Sequence, residues 1–129
     1  HFESVLFTEV GKTKTIKVKT ITLDQFASEK SIERLDFVKI DVEGKELHVL
    51  EGGKETFSRF TPALILEVGC EEESERKRIA DLLRTWGYGI TGVVVAHGVI
   101  EVSWEQYITL GNPFVKKYPS NVLFLGNLS

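Results

Sequence analysis

The spacing of apolar residues changes several times along this chain, and each change marks an element. Thr13 to Leu23 alternates charged and apolar positions, with Ile16 and Val18 set among Lys14, Lys17 and Lys19. That pattern predicts a strand near a sheet edge, where lysines discourage further pairing. His1 to Phe7 has no clear period, and Gln25 to Ser28 reads as a short helix or turn after Asp24. Leu35 to Val42 is dense in β-branched and aromatic residues and runs into Glu43-Gly44, predicting a buried strand that stops near Asp41. From Lys45 the period lengthens. Leu47, Leu50, Lys54 and Phe57 share one helical face, and Glu46, Glu51, Glu55 and Arg59 are expected toward water. Gly52-Gly53 costs this helix about 1 kcal/mol per residue relative to alanine, so close packing or an early end is expected there.

Thr61-Pro62 breaks the helix, and Ala63 to Val68 follows as a continuous apolar run of the kind found in strands covered on both faces, with Glu67 at its polar end. Glu71 to Trp86 opens with acids, continues with bases and carries Ile79, Leu82, Leu83 and Trp86 at helical spacing, so its charges suit a helix dipole. Strands are predicted over Ile90 to Ala96 and Asn121 to Leu125. A return through Val99 to Val102 and a turn-rich segment containing Asn112-Pro113 separate them. Alternation of strand and helix predicts an α/β domain with a mostly parallel sheet, helices on both faces and late strands that pair antiparallel. With no internal repeat or low-complexity tract, residues 1–129 read as a single domain.

Composition narrows the function by exclusion. A chain that is 42% apolar and 27% charged can build one conventional core. Sixteen basic against nineteen acidic residues give a net charge of -3, which removes the field that nucleic-acid binding needs. No apolar run approaches the roughly 18 residues that span a bilayer. Neither nucleic acid nor a membrane is expected as a partner. Cys70 is the single cysteine, which excludes an intrachain disulfide and a zinc-finger site and fits a reducing, cytoplasmic compartment. The sequence contains no methionine and starts at His1, so it is expected to be a portion of a longer translation product.

Gly87-Tyr88-Gly89-Ile90-Thr91-Gly92 matches the dinucleotide fingerprint literally, but a helix ends before it and a strand begins inside it. The fingerprint requires the reverse order, so Gly87 reads as a helix C-terminal cap and a nucleotide-binding oxidoreductase is disfavoured. Acids at strand ends are the stronger signal. In open parallel sheets ligands bind beyond the carboxyl ends of the strands, where Asp41, Glu43 and Glu67 fall. Such carboxylates hold ligand hydroxyls or remove protons, and they also cap turns or pair with nearby bases. Their oxygens suit a magnesium-like ion too, but no metal site is assigned on strand-end carboxylates alone. His48 and His97 have no second histidine or cysteine at metal-ligand spacing, and Lys39 in a buried strand must snorkel or meet Asp36 or Glu67.

Four ordered blocks resemble the FkbM-type methyltransferases: Thr22-Leu23-Asp24; Leu35 to Gly44 with its Lys-Ile-Asp-Val-Glu-Gly core; Glu46 to Gly52; and Pro62 to Val68. The resemblance implies a Rossmann-like class I methyltransferase sheet with residues 35–42 and 63–68 as its fourth and fifth strands. It implies S-adenosylmethionine as cofactor and a sugar or small-metabolite hydroxyl as acceptor. On this basis Asp41 and Glu43 are the catalytic candidates, Asp24, Asp41 and Val42 border the cofactor, and Glu67 and His48 border the acceptor. The family also needs an earlier strand with an acidic, glycine-rich loop, and only twelve residues with a lone Gly11 precede Thr13. The chain is therefore expected to be the C-terminal part of the domain and inactive alone. Its partner at the sheet edge would be the missing N-terminal half or a second copy. A non-catalytic methyltransferase-like interaction module is the alternative.

Overall fold

The structure, a computed structural model, describes residues 2–9, 12–114 and 119–126, with side chains from residue 15 onward. In chain order its elements are β1 (Phe2–Glu9), β2 (Lys12–Lys19), α1 (Leu23–Glu29), β3 (Phe37–Ile40), α2 (Glu46–Glu51), α3 (Lys54–Phe60), β4 (Ala63–Val68), α4 (Glu73–Thr85), β5 (Tyr88–Val95), β6 (Gly98–Glu101), α5 (Trp104–Thr109) and β7 (Ser120–Gly126). The lysine-studded strand is β2, and the aperiodic start of the chain supplies its antiparallel partner β1, with Val5 opposite Ile16. Among the described residues no helix is long and apolar enough to cross a membrane.

The remaining five strands form one sheet in the order β3-β4-β7-β5-β6. Its composition differs from the mostly parallel sheet expected. Only β3 and β4 are parallel neighbours, because β7 inserts antiparallel between β4 and β5, and β6 folds back on β5. A two-residue connection between β5 and β6 leaves no room for the crossover that a parallel pair requires.

The sheet is also covered differently from the expectation of helices on both faces. Along β4, Leu64, Leu66 and Val68 are buried while Ala63, Ile65 and Glu67 are half-buried. The first set joins Ile40, Val122, Phe124 and Tyr88 in a single core with Leu50 of α2, Phe57 of α3, Ile79 and Leu83 of α4, and Tyr107 of α5. Trp86 stacks on Phe57 at 5.7 Å, and Tyr107 meets Phe124 edge-on at 5.5 Å. Ile65, Leu123, Leu125 and Val94 point the other way and belong to no such core. Leu125 is 43% exposed, and Phe37, on β3 at the sheet edge, is 54% exposed. A run that reads as doubly buried in sequence thus lies on a sheet with one covered and one open face. Lys39 changes accordingly: on an edge strand it is exposed and does not face the buried-charge problem anticipated for it, while Asp36 pairs with Arg34 at 2.9 Å.

The helix predicted after Lys45 is two helices, broken at Gly52-Gly53 because both glycines are closely packed. A Cβ on Gly53 would sit 2.6 Å from the Phe57 ring, and one on Gly52 would sit 3.2 Å from Cβ of Thr22. Gly87 has φ +89 and follows α4 as its terminating residue, donating to the Arg84 carbonyl at 3.1 Å. Helix α5 lies in a stretch that reads as a return and turns. Its capping box, Ser103 with Gln106, is the sequence signal for it.

Gly53→Ala tests this packing. Gly53 is the N-cap of α3, a position where alanine is a poorer residue than glycine, and with the clash against Phe57 the substitution predicts destabilisation of about 1–3 kcal/mol, read from urea unfolding. A more stable variant would show that the glycine pair is not held by packing.

Candidate active site

The parallel register pairs Ile40 with Leu66, so the chain delivers Asp41 and Glu67 side by side as the next residue of each strand. Asp41 thus stands beside the Glu67 carboxyl and acts on its ionisation. A neighbouring carboxyl disfavours the charged form of an acid. The Asp41 contact is the largest influence pushing the Glu67 carboxyl above the ordinary glutamate range. Desolvation and the charges of Asp41, Glu43 and Glu46 push in the same direction.

The turn after Asp41 is tight. Glu43 has φ +42 and Gly44 φ +88, two successive left-handed residues, and the Lys45 amide donates to the Val42 carbonyl at 3.3 Å. A left-handed conformation strains Glu43, and strain of this kind gathers at functional turns. Glu46, expected in water, is only 3% exposed and accepts from the Gly44 amide at 3.0 Å. The turn drops α2 beneath the strand end, so the first helical position faces inward.

A buried network braces this end of the sheet. Arg76 of α4 pairs with Glu71 at 3.3 Å and donates to the carbonyls of Glu71 at 2.6 Å and Ile108 at 2.8 Å, tying α4 to α5. Tyr107 lies within the field of these groups, and burial first, with Glu71 next, pushes its phenol well above the usual range. Neither the arginine nor the tyrosine was recognisable as a site neighbour in the sequence, where Arg76 is one of several bases on an amphipathic helix.

The other predicted site residues separate. Glu43, Val42 and His48 are exposed around the turn and along α2. Asp24, expected at the pocket edge beside the cofactor, is instead committed to α3. Its carboxylate accepts from the amides of Glu55 at 3.0 Å and Thr56 at 2.8 Å and from the Thr56 hydroxyl at 2.7 Å. Burial acts to raise its pKa, but these three bonds together outweigh burial and hold it below the ordinary aspartate value. Asp24 therefore caps α3 from α1 and is not grouped with Asp41. In the turn after Asp41 the Gly44 N–H, which precedes α2, donates to Glu46 and not to Asp41. Among the described residues no group of three or more acidic, histidine or cysteine side chains is arranged to hold a metal ion.

The profile of the methyltransferase FkbM domain matches residues 2–90. The chain belongs to the FkbM methyltransferase family. The 2-O-methyltransferase NoeI of Sinorhizobium fredii is 43% identical to this FkbM chain over 44 residues, which are 34% of this chain and 18% of that protein. The match thus spans less than a fifth of the curated relative's length. No solved structure matches the chain. In an FkbM chain, a carboxyl pair at the ends of adjacent strands is a group that can accept a proton from a hydroxyl as it becomes a nucleophile.

Two carboxylates of this FkbM chain should respond to pH in opposite senses. Glu67, raised in the fold, penalises the folded state as pH climbs above the unfolded glutamate value of 4.5. Glu67→Gln is therefore expected to gain stability over the parent progressively above that pH and to match it below; a constant difference across a pH series of chemical unfolding would refute the coupling. Asp24, lowered in the fold, stabilises fully above the unfolded value of 3.8 and loses that contribution as pH falls through its lower folded value. Asp24→Ala should cost about 1–3 kcal/mol at neutral pH, and a neutral effect there would argue against the cap.

Proposed function

We propose that this chain provides the acceptor-binding and proton-accepting side of an S-adenosylmethionine-dependent O-methyltransferase acting on a hydroxyl of a sugar or small metabolite. The observation that carries this reading is the Asp41–Glu67 carboxyl pair at the ends of adjacent parallel strands in an FkbM chain. A relative with 2-O-methyltransferase in its name supports a hydroxyl as acceptor. The cofactor supplies a methyl group on a sulfonium, whose C–S bond breaks as the new C–O bond forms. In this reading Asp41, with Glu67 behind it, takes the hydroxyl proton, and Glu43 orients the acceptor through the strained turn. His48 and Glu67 border the acceptor. The residues present fit one side of the cofactor: exposed Asp41 suits its hydroxyl or amino donors, and exposed Val42 suits an apolar ring face.

The other side of the crevice is provided, in this reading, by a polypeptide segment that pairs with the free edge of β3 and covers the open face carrying Phe37, Ile65, Leu123 and Leu125. In this reading the segment belongs to the N-terminal part of the domain, and the single cysteine fits a cytoplasmic setting. The same open face favours one competing reading, a non-catalytic module that recruits another chain, and methyl transfer separates the two.

By calorimetry the isolated chain should show no measurable S-adenosylmethionine binding, and clear micromolar binding would overturn the division of the pocket. In the assembled enzyme Asp41→Asn should lower kcat by about 10²- to 10⁴-fold with little change in cofactor affinity. An unchanged kcat would remove Asp41 from the proton transfer.

A further inference from the structure

Strand β6 ends the sheet on the side opposite β3, and among the described residues no strand pairs with its outer edge. Every residue from Gly98 to Glu101 is exposed. Exposed edges are ordinarily blunted by lysine, proline or a bulge. Strand β2 carries Lys14, Lys17 and Lys19 in that way, whereas β6 has neither lysine nor proline and runs against β5 in unbroken register. This corner is apolar instead: Val94, Val95, Val99 and Ile100 are each 36–44% exposed. Val94 and Val99 oppose each other on the open face, while Ile100 opposes Val93 and Gly98 opposes Val95 on the other. The backbone adds a direction. The Val102 amide donates to the Thr91 carbonyl at 3.4 Å and the Ile100 carbonyl lies against Gly92, so the even-numbered residues bond toward β5. Bonding directions alternate along an antiparallel strand, and Val99 and Glu101 therefore turn their N–H and C=O groups outward.

We propose that β6 is a self-association edge, pairing antiparallel with β6 of a second copy of this chain about a two-fold axis at Val99 and joining two five-stranded sheets into one. Two-fold related antiparallel neighbours keep each sheet face on its own side, so the axis passes through a residue and not between two. Charge selects which residue. An axis at Glu101 opposes two carboxylates, one at Ile100 sets Glu101 opposite Val99, and one at Gly98 sets His97 opposite Val99. An axis at Val99 sets each Glu101 opposite the exposed His97 of its partner, a donor to its carboxylate, twice by symmetry. It also sets Val99 against its own copy and each Ile100 opposite the partner's Gly98, whose missing side chain leaves room for it beside Val95. Both β3 edges stay at the outer ends of the joined sheet. The pairing is therefore independent of the segment proposed there and of the transfer reaction.

Four residues a side is far below the roughly 20–30 of a standard interface, so this dimer is weak and concentration-dependent. Sedimentation equilibrium of the chain should show monomer passing to dimer between about 10 μM and 1 mM. Val99→Lys brings two ammonium groups together on the axis and should weaken the dimer about tenfold or more. His97→Glu, whose repulsion occurs twice, should weaken it about five- to thirtyfold, and His97→Glu combined with Glu101→His should recover the parent within about twofold. These positions are exposed, and an unchanged melting temperature shows that each variant folds. Phe37→Asp, at the opposite edge, should leave the dimer intact. A chain that is monomeric at about 1 mM, an association lost in Phe37→Asp yet kept in Val99→Lys, or a double exchange as weak as His97→Glu alone would overturn the proposal.

Discussion

Strand β4 pairs parallel with β3 and antiparallel with β7, and the alternation along it sets everything around the site. Leu64, Leu66 and Val68 enter the core, each stabilising the fold by roughly 1.5–3 kcal/mol. Glu67 lies between two of them and is held on the opposite face. A slip of one residue in either pairing would exchange the sets, placing a carboxylate in the core and leucines in water. Hydrophobic burial on one face therefore fixes the register that sets Glu67 against Asp41 on one side and Asn121 on the other. The polar row contributes little to its own positioning.

Two aspartates of similar sequence appearance have been given opposite tasks by their surroundings. Asp24 receives three donors at the start of α3, so its charge is satisfied and its role is to hold α1 against α3. Asp41 instead stands beside another carboxyl, that of Glu67, which it pushes above the ordinary glutamate range. Below this pair, the Arg76–Glu71 bridge and the Ile108 carbonyl hold α4 and α5 rigid. The strain sits in the Glu43-Gly44 turn. A rigid base beneath a strained turn is an arrangement that positions a reactive group while leaving its ligand side open.

The open sheet face and the site are one feature. A sheet layer is completed by a second layer against each face, and here helices cover only one. The acid row stands where the uncovered face meets the strand ends, so a segment seated on that face would also close a wall around Asp41 and Glu67. Exposed Phe37 on the edge strand extends the same surface around the sheet margin.

Much of this was legible in the sequence because it depends on local order. Ala63–Val68 was found to the residue, the helix ending at Gly87 was recognised from the glycine and its context, and the block from Leu35 to Gly44 carried both the family and the catalytic aspartate candidate. Other features required the tertiary structure, because they arise between segments that the sequence keeps far apart. An apolar run reads the same whether one face or two are covered, so the open face was invisible. Asp24 could not be told from a site acid until Thr56 was brought to it across some thirty residues. Asn121 was one polar residue at a strand start until β7 entered beside β4 and set it opposite Glu67. Local pattern determined which residues could form strands, helices and acidic ends; long-range pairing, driven by burial of the apolar face, decided which of those ends stand together.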